Sequence, residues 1–91
     1  MTTPRLRDDV SVREIDGEAV VLDRHQNSMH SFNATAACIL KAIDGERSSR
    51  EISRLVCEVF EVAPDTALAD TQKVLAQLEE LGLLAEPADT P

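Results

Sequence analysis

The amino-acid sequence predicts an α+β domain: a three-stranded antiparallel meander followed by three helices. Three observations carry that prediction. The hydrophobic period changes once along the chain, from two to 3.6, close to Asn33. Before that point, Asp16-Gly17 and the polar stretch Arg24–Asn27 divide the extended part into three short runs. After it, Gly45 and Ala63-Pro64-Asp65 divide the helical part into three segments. Strands first and helices second, without alternation, is the α+β order.

The first strand holds Val10, Val12 and Ile15, which alternate imperfectly. Asp-Gly favours a type I′ turn, because both central residues of that turn need positive φ, and Ala19–Leu22 then restarts an extended run. Ser28–Phe32 reads as the third strand. Links this short imply antiparallel neighbours. The third strand then lies at an edge, with one row of backbone N–H and C=O groups left unpaired by its own sheet.

Asn33 is suited to cap the first helix, where Ala36, Ile39, Leu40 and Ile43 repeat at i, i+3, i+4 and i+7 and Gly45 marks the stop. The second helix opens with Ser48-Ser49-Arg50-Glu51, a capping box in which hydroxyl and carboxylate each satisfy an orphan backbone donor. Its apolar stripe is Ile52, Leu55, Val56, Val59 and Phe60. The third helix is expected from about Thr66 to Leu81, with Leu68, Val74, Leu75, Leu78 and Leu81 buried and Gly82 at its end. Leu83 and Leu84 should fold back onto the core. Residues 1–7 and 86–91 are polar and hold three of the prolines, so they are expected as loose tails around a domain spanning 8–85.

Ninety-one residues fit one small domain, and 43% hydrophobic with 29% charged residues is a globular balance. No apolar run approaches the roughly 18 residues needed to cross a bilayer, and Met1–Asp9 lacks a signal-peptide core. The expected location is the cytoplasm. Nine basic residues against seventeen acidic ones leave a net charge of −8, which disfavours nucleic acid or an anionic membrane as partner. Cys38 and Cys57 are expected as buried free thiols, with no CxxC spacing for zinc or redox chemistry.

Catalytic chemistry needs convergent groups, and none assembles. His25 and His30 fall in a turn and on a strand, and the glycines punctuate elements instead of forming a phosphate loop. Asp65, Asp70, Glu79 and Glu80 read as a solvated acidic helix face. The expectation is a domain with no enzymatic activity, no cofactor and no metal. Three helices with a small sheet also match a winged helix-turn-helix, whose third helix would enter the DNA major groove. Here that helix carries those four acids against Lys73 alone, so a DNA-binding regulator is the alternative reading and not the first one.

Four runs carry a resemblance: Val20-Val21-Leu22-Asp23, Phe32-Asn33-Ala34-Thr35-Ala36-Ala37, Ile43-Asp44-Gly45-Glu46-Arg47-Ser48, and Asp70…Val74…Leu78…Leu81-Gly82-Leu83-Leu84. In this order and spacing, over roughly Asp8 to Ala85, the sequence resembles the PqqD-like family, which includes coenzyme PQQ synthesis protein D and the related RiPP recognition elements. The family usually has Leu where this chain has Phe32, and aromatics where it has Met29 and His30. The resemblance implies a small, non-catalytic, winged-helix-like peptide chaperone. Such a domain holds the leader of a ribosomally made precursor peptide and presents it to a modifying enzyme, a radical S-adenosylmethionine protein or another RiPP maturase. In the family the leader adds as a strand beside the third strand, in a groove closed by the third helix.

The residues point to the same surface independently, since strand addition to an exposed edge is a recurring mode of peptide recognition. Five or six backbone hydrogen bonds at a net ~1 kcal/mol each are roughly cancelled by the ~1–2 kcal/mol per residue lost in ordering a peptide. Side-chain pockets must therefore supply the affinity. Alternation puts Met29 and Ser31 on one face of the strand and His30 and Phe32 on the other, with Ser28 at its start. On the third helix Asp70, Val74, Gln77 and Leu81 form a stripe, with Lys73 at its rim. These ten residues are the expected peptide-binding site. An open edge would also allow a weak homodimer in place of a monomer.

Overall fold

The computed structural model describes residues 3–85. It contains β1 (Val10–Ile15), β2 (Glu18–Asp23), β3 (Ser28–Phe32), α1 (Ala34–Ala42), α2 (Ser49–Phe60) and α3 (Pro64–Glu80). The strands lie in the order β1-β2-β3, both pairs antiparallel, so β3 is an edge. At the β1–β2 turn Asp16 and Gly17 have φ of 53° and 82°, the positive pair that a type I′ turn requires.

Register decides which side chains meet the helices. Ala19, Val21 and Asp23 alternate as the buried residues of β2. Their partners Phe32, His30 and Ser28 on β3 share that inner face, while Val20, Leu22, Met29 and Ser31 share the outer one. The helices cover only the inner face. Ala19, Val21 and Phe32 pack there with Ile39, Leu40, Ile52, Val56, Leu78 and Leu83 in a single core.

Two helix boundaries and two buried faces differ from the sequence-based expectation. α1 ends at Ala42 because Asp44 Oδ1 accepts from the N–H groups of Glu46 and Arg47 (both 2.9 Å), a local turn that competes with another helical turn. Pro64 starts α3 instead of breaking the chain before it, since a helix tolerates proline at its first position, where no donor is needed. In α2 the apolar stripe is wider than the surface beneath it, and Val59 remains 62% exposed. The buried line of α3 is Ala67, Thr71, Val74 and Leu78, with Leu68, Leu75 and Leu81 only half-buried. Two small residues let the helix lie close, and Thr71 Oγ1 satisfies itself on the Ala67 carbonyl at 2.8 Å. Both cysteines are free but half-buried, more accessible than expected.

The largest correction concerns the N-terminal segment. Leu6 bridges Leu84, Arg7 N donates to the Leu83 carbonyl (3.1 Å), and Ala85 N donates to the Arg5 carbonyl (2.7 Å). Gly45 N in turn donates to the Pro4 carbonyl (3.1 Å). The polar composition of residues 3–7 therefore hides a bonded strap joining the α1–α2 loop to the chain end after α3. Residues 86–91, the other expected tail, lie outside the described residues.

Candidate peptide-binding groove

β3 passes directly into α1 through one residue, Asn33, whose side chain caps the helix by accepting from Ala36 N at 2.9 Å. That junction pins the last residues of β3 beside the first turn of α1. α3 runs alongside, presenting Asp70, Lys73, Val74 and Gln77 on one face by their i, i+3, i+4 and i+7 spacing. Between them opens a groove of ≈ 330 Å³ lined by Ser31, Phe32, Asn33, Thr35, Ala36, Asp70, Lys73, Val74 and Gln77.

The groove has an apolar floor and polar walls. Phe32, Ala36 and Val74 are buried, while Ser31, Asn33, Lys73 and Gln77 are exposed at its rim. Among the described residues, neither Asp70 nor Lys73 forms an ion pair. Two opposite charges thus stand one helical turn apart without an ion pair among the described residues. Val74 combines two roles, since it is only 9% exposed, packs in the core, and still lines the groove.

Six of the ten residues expected from sequence converge here: Ser31, Phe32, Asp70, Lys73, Val74 and Gln77. Ser28 and His30 share the inner face nearer the start of β3, and their side chains approach each other at 3.4 Å instead of lining the groove. Met29 lies on the outer face, 67% exposed, and Leu81 sits beyond the helical part of α3. Asn33, Thr35 and Ala36 line the groove without having been expected there. The signal for them was present: with no loop between strand and helix, a groove at the end of β3 must include the first turn of α1.

The profile of the family described as coenzyme PQQ synthesis protein D (PqqD) matches residues 18–84. The chain belongs to the PqqD family. Comparison with the curated proteins returns no match. Among solved structures, "TbiB1 in Complex with the TbiA(beta) Leader Peptide" is 25% identical with a TM-score of 0.80, covering 93% of this chain and 99% of that one. "Lasso peptide synthetase B1 complexed with the leader peptide" is 26% identical with a TM-score of 0.78, covering 91% and 98%. The PqqD truncation of Methylobacterium extorquens PqqCD, a stand-alone RiPP recognition element, matches in fold at 24% identity and a TM-score of 0.75, covering 91% and 88%. Three antiparallel strands followed by three helices are therefore the architecture this PqqD-family chain shares with them.

At the other end of β3 the polar groups are closed on each other. Asp23, wholly buried, accepts through Oδ1 from Arg7 Nη2 (2.5 Å), His25 N (3.0 Å) and Gln26 N (3.2 Å). Arg7 also donates to the Gly82 carbonyl (2.7 Å) and to Asp9 (3.1 Å). Burial pushes the Asp23 carboxyl up, but the Gln26 and His25 N–H groups and the Arg7 guanidinium outweigh it and hold the pKa below its ordinary value. One oxygen, Oδ2, is buried without a partner. Elsewhere burial pushes the Cys38 thiol up, keeping it in the protonated form that is a poor nucleophile. No three metal-ligating side chains cluster, and no helix is long and apolar enough to cross a membrane, among the described residues.

Proposed function

We propose that this PqqD-family domain binds the leader of a ribosomally synthesised precursor peptide and presents it to a modifying enzyme, without catalysing a reaction itself. The observation that carries the reading is the edge strand β3 ending beside a groove that α3 closes. An added strand satisfies the open backbone groups of the edge, and the groove receives alternate side chains. Two structures of the same fold, at 25% and 26% identity, are complexes with leader peptides, which supports the same role here. The partner enzyme is a RiPP maturase, of the radical S-adenosylmethionine type or another, and the setting is the cytoplasm. No cofactor is needed for holding a peptide.

The test is a titration of the isotope-labelled chain with the leader of a candidate ribosomally synthesised precursor peptide. Gln77→Trp, at an exposed position on the groove wall, should obstruct the site and weaken binding at least about tenfold, equivalent to about 1.4 kcal/mol. Unchanged affinity in that variant would remove the groove from the account.

A further inference from the structure

A second concavity of ≈ 280 Å³ lies at the same end of the sheet and shares Ser31, Phe32 and Asn33 with the groove. Its other walls come from the β1–β2 hairpin: Ile15, Asp16, Glu18, Ala19 and Val20. The two hollows flank the end of β3, one toward α3 and one toward the outer sheet face. Ile15 is 56% exposed there, a large apolar side chain left open by the described residues. Asp16 and Glu18 form no ion pair among the described residues, and Arg13 does not line the hollow.

We infer that this hollow is a second leader subsite, which receives a long basic side chain, Arg or Lys, from the same peptide that occupies the groove. The inference rests on the proposed strand addition. A strand beside β3 directs successive side chains to opposite faces, so the neighbour of a groove-facing residue emerges on the outer face next to Ser31. Ser31 is paired with Val20 across the β2–β3 ladder. Strands lie about 4.8 Å apart, which puts β2 about 9.6 Å from the added strand. Ser31 is small enough to leave a path over it. Along that path an aliphatic stem crosses Ser31 toward Val20, and the charged head reaches for Glu18. Ile15 and Asp16, one strand further out, form the far wall of the hollow and add Asp16's negative charge to it. Long basic side chains pack in this way, with the stem on apolar surface and the charge at its edge. A neutral apolar residue would leave both carboxylates unanswered, and an acidic one would be repelled.

A displayed library of random short peptides, selected on the intact chain, supplies the probe. Selected peptides should carry Arg or Lys immediately beside the residue that enters the groove. Glu18→Lys should weaken them about tenfold, the value of one charge-assisted contact, and should not weaken versions with Gln in place of that Arg or Lys. Peptides with Glu at that position should regain affinity on Glu18→Lys. Equal affinity for Glu18→Lys and the unaltered chain, while Gln77→Trp still weakens binding, would overturn the second subsite and leave the groove standing. Indifference to both substitutions would overturn the groove reading as well.

Discussion

The two ends of β3 use charge in opposite ways. At the start of the strand, Asp23, Arg7 and the Gly82 carbonyl are bonded to one another and to the adjoining turn. At its end, Asp70, Lys73, Asp16 and Glu18 stand on two hollows with no ion-pair partner among the described residues. A charge closed on the chain stabilises the fold and is lost to recognition. A charge left open contributes little to stability and is available to a ligand. The Arg7–Asp23–Gly82 seam therefore holds the domain together, and the groove is left open as the proposed site of leader binding.

The sharpest way to break this division is at Arg7. Arg7→Ala removes the charge partner of the buried Asp23 carboxylate and leaves it only the His25 and Gln26 N–H groups, and removing one member of a buried pair is strongly destabilising. Denaturation should show the largest stability loss of the charged-residue variants, while the leader affinity of the folded fraction stays unchanged. The same pair sets an acid limit. A carboxyl whose folded pKa lies below its unfolded value contributes stability fully above that value, ordinarily 3.8 for Asp23, and loses it as pH falls through the folded pKa. Asp44 and Glu51 are shifted the same way by backbone N–H groups of the α1–α2 loop and the α2 cap. Stability should be flat near neutrality and fall below about pH 4, less steeply in Arg7→Ala.

Next in size is a change in α3 that separates fold from function. Leu78 is fully buried and Gln77, its neighbour in sequence, is exposed on the groove. Leu78→Ala should cost about 3 kcal/mol of stability with little change in intrinsic affinity. Gln77→Trp should do the reverse. If Leu78→Ala lost leader binding in its folded fraction to the same degree as Gln77→Trp, core and groove would not be separable.

The edge itself can be tested with proline. Adjacent residues of an antiparallel strand aim their N–H groups at opposite sides, so between His30→Pro and Ser31→Pro one removes a bond to β2 and the other a donor offered to the leader. Unfolding curves should rank the two differently. The more stable variant should still bind the leader weakly, and full affinity in that variant would contradict strand addition. The smallest effect belongs to the exposed Lys41–Glu14 pair, with side chains 61% and 44% accessible. Lys41→Ala should change stability by no more than about 0.5 kcal/mol and leave binding untouched.

Much of this was legible in the sequence because local signals and global fold agree. Asp16-Gly17, the Ser48–Glu51 capping box and the Asn33 cap each dictate a backbone conformation on their own, and the three-strand, three-helix order follows from them. The strap was not legible. Nothing in residues 3–7 marks a bond to Leu83 or Ala85, because such pairing depends on where the chain end after α3 comes to rest. The groove was half legible. Helical spacing collected Asp70, Val74 and Gln77, yet it also promoted Leu81, and it ranked leucines above Ala67 and Thr71 as core. Periodicity reports a face of a helix. The distance to the opposing element decides which part of that face a ligand can reach.

The measurement that bears most directly on the central claim is an amide NMR titration of the labelled chain with the leader peptide. The account predicts shifts concentrated at Ser31–Ala36 and Asp70–Gln77, extending to Ile15–Val20 when the leader carries the basic residue, while Arg7, Asp23 and Gly82 stay still. Shifts centred on the seam or on α2, with the groove residues unmoved, would contradict it.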